Sequence, residues 1–92
     1  MILQFEFASY FGKNVGTGPF WVNLEGQAAN LDQALAALFD THLELSEGLK
    51  KKGYLKDGKL VAMYVVDGNL LQEGSLLQDG AIIKVMAPIC GG

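Results

Sequence analysis

The sequence predicts an α+β roll, a mixed sheet of about four to five strands packed on one main helix. Three observations point there. Several β-rich runs, some with a period of two, are separated by clusters of turn formers. One stretch carries an apolar stripe at helical spacing. The 92 residues are half hydrophobic and 18% charged, which suits one folded domain rather than a disordered chain.

The first segment alternates, with Leu3, Phe5 and Phe7 on one side and Gln4 and Glu6 between them. That period reads as a half-buried strand. Gly12 to Pro19 is dense in turn formers and ends it. A second strand follows from Phe20 to Leu24, with Phe20, Val22 and Leu24 on one face, and a short link makes the pair an antiparallel hairpin.

The only clear helix comes next. Asn30 stands at its N-cap and Gln33 where a capping box wants Glu or Gln. Leu31, Leu35 and Leu38 recur at helical spacing beside Ala34, and the pattern fades after His42. From Glu44 to Gly58 the chain is polar, with Lys50-Lys51-Lys52 and three glycines, and reads as a loop with at most a short helical turn.

Leu60 to Val66 is a β-rich run without clean alternation, as in a strand covered on both faces. Asp67-Gly68-Asn69 is a hairpin turn signal, with a short strand at Leu70-Leu71 after it. Gln78-Asp79-Gly80 marks another turn. Ala81 to Met86 is the last strand, with Ile83 and Val85 inward. Pro88 has no amide donor and ends the pairing. The order is strand, strand, helix, strand, short strand, strand, which is that of a β-grasp, or ubiquitin-like, roll. Residues 1–86 form the domain, and 87–92 a flexible tail ending in Gly91-Gly92.

Composition removes several classes of function. No apolar run approaches the ~20 residues of a membrane span, and the N-terminal residues lack the pattern of a signal peptide, so a cytoplasmic protein is expected. The single cysteine, Cys90, excludes an internal disulfide, and with one histidine, His42, leaves too few ligands for a structural zinc. The net charge is -3 and no residue is arginine, which argues against nucleic-acid recognition. Glu6, Glu25 and Asp32 show no spacing for paired-carboxylate chemistry, and Gly12, Gly16 and Gly18 do not form a phosphate-binding loop.

The chain's last fourteen residues are the most informative. The Asp79-Gly80 turn, the strand with Ile83 and Val85, then Pro88, Ile89 and the final Gly91-Gly92 resemble the ending of the MoaD/ThiS family of ubiquitin-like sulfur carriers. Within that family, the small subunits of molybdopterin synthase are most alike. The chain departs from the usual pattern at Ala87, where a second proline is common, at Met86 in place of phenylalanine, at Cys90, and in the polar insert of residues 44–58.

The resemblance implies a carrier rather than a catalyst. An ATP-using enzyme of the ubiquitin-activating type would join AMP to the Gly92 carboxylate. A sulfur donor would then displace AMP and leave a thiocarboxylate. A large synthase subunit or another acceptor would take the sulfur, for a molybdenum or tungsten cofactor. No cofactor is expected on the chain itself, because the ATP serves the activating partner. Pro88, Ile89, Cys90 and Gly91 would thread the tail into a partner. The glycines lack a Cβ and suit a narrow channel, and the extended tail reaches about 20 Å.

Three readings stay open: this carrier, a ubiquitin-like modifier conjugated through Gly92, and a non-covalent interaction module. Trp21, Ile82 and Met86 fall on the outward face of the sheet, as a partner-binding patch or as scattered surface hydrophobes. His42 reads as a helix-end residue and not a base. Lys50 to Lys52 read as a solvated run, and Cys90 as an ordinary thiol.

Overall fold

A computed structural model describes residues 1–8, 11, 18–56, 59–72 and 74–87. Five strands make the main sheet: β1 (Ile2–Phe7), β2 (Phe20–Asn23), β6 (Met63–Val66), β7 (Asn69–Leu70) and β9 (Ile82–Met86). Their spatial order is β2-β1-β9-β6-β7. The sheet is mixed. β1 and β9 run parallel in its middle, and the other neighbours are antiparallel. The domain is a β-grasp roll, as the run of strands and helix predicts.

Register follows from the alternation in β1. Leu3, Phe5 and Phe7 are buried, and so are Val22, Ile83 and Val85 beside them. A slip by one residue would turn every one of these to solvent, so the pattern admits one pairing. Phe7 meets Phe11 and Phe20 edge to face at centroid distances of 5.4 and 5.7 Å, and Phe11 meets Tyr54 at 5.1 Å. Gly18 sits at φ +91°, where a Cβ would lie 2.8 Å from the Phe5 carbonyl oxygen. Only glycine lets the backbone pass the sheet so closely there.

Helix α1 (Leu31–Thr41) lies against the inner face with Ala34, Leu35 and Leu38 buried. Its capping box is complete. Gln33 N–H donates to Asn30 Oδ1 at 2.8 Å, and Asn30 N–H donates to Gln33 Oε1 at 3.0 Å.

Two sequence expectations are corrected, and one strand pair is added that the sequence did not suggest. The polar stretch after His42 contains a second helix, α2 (Leu43–Lys51), and not a loop. Leu45 and Leu49 stand one turn apart and are both buried, while the glutamates and lysines between and after them face water. Two apolar residues suffice because the rest of the core already exists for them to join. A small hairpin, β4 (Leu55–Lys56) and β5 (Lys59–Leu60), follows.

The run from Leu60 to Val66 is not one strand. Leu60 closes β5, the Val61 N–H donates to the Tyr54 carbonyl at 3.0 Å, and β6 starts only at Met63. A turn of chain separates two pairings that share one β-rich composition. Finally, β3 (Ala28–Asn30) and β8 (Leu76–Gln78) pair as a separate ribbon, with Ala29 and Leu77 buried together. β8 comes just before the Asp79-Gly80 turn, and β3 runs straight into the cap of α1. Strands of three residues are too short for an alternation to register.

The Asp67-Gly68 turn between β6 and β7 has positive φ at both residues, 53° and 79°, as a two-residue hairpin of this twist requires. Among the described residues, no helix is long and apolar enough to cross a membrane.

Candidate functional site

The outer face of the sheet is built from the residues that alternate with the core. On β1 these are Ile2, Gln4 and Glu6, and on β2 they are Trp21 and Asn23. On β9 they are Ile82, Lys84 and Met86, and on β6 they are Met63 and Val65. Cross-strand register sets them in rows. Trp21, Gln4 and Ile82 form one row. Glu6, Lys84, Val65 and Leu70 form the next, with Met86 beside Met63 beyond it.

The face is apolar and open. Trp21 is 56% exposed, Ile82 41% and Met86 44%, and Leu70 and Ile2 are also exposed. The structure thus brings the three sequence-selected residues onto one surface, Trp21 on the edge strand and Ile82 and Met86 on the central one. Sequence reasoning did not select Met63, Val65, Leu70 and Lys84. Lys84 could have been found from the alternation in β9. Met63 and Val65 are masked by the uniform composition of their run.

Two hydrogen bonds order the edge strand and its neighbour. His42, at the junction of α1 and α2, places Nε2 2.9 Å from the Trp21 carbonyl oxygen, and its ring meets Phe20 edge to face at 5.3 Å. The side chain therefore spends its polarity on β2 and not on a helix end. Trp21 is paired with Gln4 without facing bonds, so its carbonyl points outward from the sheet edge, and His42 covers it. On β1, Gln4 Nε2 donates to Glu6 Oε2 at 2.7 Å and holds the carboxylate on the face.

Two shallow concavities flank Lys84. One, of about 210 Å³, is lined by Val65, Asp67, Gly68, Ile82 and Lys84. The other, of about 170 Å³, lies at the ends of β1 and β9 and is lined by Glu6, Phe7, Ala8, Lys84, Val85 and Met86. The second marks the point where the chain leaves the sheet. The Ala8 N–H donates to the Val85 carbonyl at 2.9 Å, and β9 ends one residue later. The tail residues selected from sequence, Pro88, Ile89, Cys90, Gly91 and Gly92, lie outside the described residues.

No group of three or more His, Cys, Asp or Glu among the described residues could hold a metal ion. The displaced titration is that of Tyr64, which burial and then the Asp32 charge push well above the ordinary 10.0 of a phenol. Tyr64 stands in register with buried Val85, on the inner side of the sheet, and donates its hydroxyl proton to the Leu60 carbonyl at 3.1 Å.

A β-grasp roll with an apolar outer sheet face, and a central strand leading off its end, is the architecture of ubiquitin-like proteins. Solved structures with the same fold are similar to the chain over nearly its whole length. SAMP1 from Haloferax volcanii matches with a TM-score of 0.72 at 19% identity, covering 100% of both chains. A structure of H. volcanii small archaeal modifier protein 1 matches at 0.70 and 19%, covering 96% of this chain and 98% of that one. The complex of subunits 1 and 2 of molybdopterin-converting factor from Helicobacter pylori 26695 contains a chain that matches at 0.57 and 22%, with full coverage of both. No protein-family model matches the sequence, and no curated protein matches it.

Proposed function

We propose that this chain is a sulfur carrier. The Gly92 carboxylate attacks the α-phosphorus of ATP on an activating enzyme, releasing pyrophosphate and forming an acyl adenylate. A sulfur donor displaces AMP and leaves the thiocarboxylate, which gives its sulfur to a molybdopterin precursor on a large synthase subunit. An ionised carboxylate is a poor acceptor of nucleophiles at neutral pH, so activation is required before sulfur can be attached. The chain carries the group, its partners supply the catalysis, and the cytoplasm is the expected setting.

The observation that supports this reading is the Asp79-Gly80 turn and β9, followed after four residues by Gly91-Gly92 in the sequence, on a fold shared with a molybdopterin-converting factor subunit. The outer face, with Trp21, Ile82 and Met86, is the docking surface for the activating enzyme, and Pro88 to Gly91 guide the tail into it. The test is a matched pair of variants. Deleting Gly92 abolishes adenylation while leaving the melting temperature unchanged. Trp21→Ala weakens adenylation through KM with the tail intact. Normal adenylation of the truncated chain contradicts the reading.

A second reading has its own support. The two similar structures at TM-scores of 0.72 and 0.70 are of a small archaeal modifier protein. Conjugation of this chain through Gly92 to lysines of other proteins uses the same activated carboxylate. Adducts in cell lysates that vanish on deletion of Gly92 distinguish it.

A further inference from the structure

We infer that a second copy of this chain covers the outer sheet face in an isologous, face-to-face dimer. The basis is the placement of charge. Glu6 and Lys84 lie in register on adjacent strands at the middle of a face whose other residues are uncharged, Trp21, Ile82 and Met86 among them and Gln4 bonded to Glu6. A two-fold axis lying in the interface, along the strands and between β1 and β9, sets each copy's Glu6 against the other's Lys84. Closed dimers require such self-complementarity, since each patch meets itself.

The same axis aligns the strands of the two sheets, which is the common way for twisted sheets to stack. It also lays β2 over the partner's β6. Trp21 shares the row of Gln4 and Ile82, so its indole comes over the concavity beside Asp67 and Gly68. The indole N–H is a donor and the Asp67 carboxylate an acceptor. The strands that overlap, β2 to β6, span three strand spacings, about 14 Å, which puts the contact at the small end of specific interfaces and the dimer in the weak, reversible class. On the proposed docking role of this face, dimer and docked partner exclude each other, because both use Trp21 and Ile82.

The experiment is sedimentation equilibrium of the full chain from about 10 μM to about 1 mM. The wild-type chain shifts from monomer to dimer across that range. Glu6→Lys and Lys84→Glu each raise the dissociation constant about tenfold or more, because each creates two like-charge contacts per dimer. Mixing the two variants restores association, since one then carries only cations at these positions and the other only anions. Rescue on mixing cannot arise within one copy, so a change confined to monomer stability is distinguished from the interface. A chain that stays monomeric to the top of the range, singles that dimerise like wild type, or a mixture no tighter than its components overturns the proposal.

Discussion

The Asp79 carboxylate accepts the Ile2 backbone N–H at 2.7 Å, and the Gly80 N–H donates back to the Ile2 carbonyl at 2.8 Å. Two bonds thus tie the turn before β9 to the first residue of β1. They set the start of the parallel pair at the centre of the sheet, and with it the line of β9. The Asp-Gly pair is therefore a register device in this fold. Asp79→Ala is expected to destabilise the domain by about 0.5–1.5 kcal/mol, the usual worth of one such bond. Urea unfolding checks this, and an unchanged midpoint would contradict it.

Gly18 supplies a second prediction. With φ at +91° and a Cβ position 2.8 Å from the Phe5 carbonyl oxygen and 2.9 Å from the Phe20 nitrogen, alanine meets backbone on two sides. Gly18→Ala is expected to cost about 1–3 kcal/mol and to loosen the β1–β2 pairing. Hydrogen exchange of the Leu3 and Phe5 amides reads the second effect directly.

Leu49 tests the helix that the sequence concealed. It is fully buried, and Leu49→Ala is expected to lose about 2–5 kcal/mol. A surface turn on a loop would tolerate the change within about 0.5 kcal/mol. Thermal or denaturant unfolding separates the two outcomes.

Tyr64 contributes to the pH dependence of stability on the alkaline side. Its folded pKa is raised, chiefly by burial, so the folded state keeps the proton after the unfolded chain has lost it. The stability it contributes is complete below about pH 10 and falls as pH rises beyond that value. Tyr64→Phe is expected to flatten this decline, while costing about 0.5–1.5 kcal/mol at neutral pH through the lost bond to Leu60. Unfolding midpoints measured on both sides of pH 10 give the comparison.

What was legible in the sequence follows the length of each periodic signal. Leu3, Phe5 and Phe7 give three alternating apolar positions and the helix around Leu35 a capped stripe, so β1 and α1 are readable. Leu45 and Leu49 are the two buried positions of a helix that is otherwise polar but for exposed Leu43, and their burial depends on a core made by distant strands. The three-residue ribbon of β3 and β8 has no signature of its own. On the candidate site, Ile82 and Met86 were readable from the alternation of β9, and Trp21 from that of β2. Met63 and Val65 needed the β6–β9 register, which composition alone does not carry.

The central claim concerns the chemistry of Gly92. Intact-protein mass spectrometry after incubation with ATP, an activating enzyme and a sulfur donor tests it most directly. The predicted result is replacement of one oxygen by sulfur, localised to Gly92 by fragmentation. Absence of both adenylate and thiocarboxylate, with an enzyme shown to be active on another carrier, would contradict it.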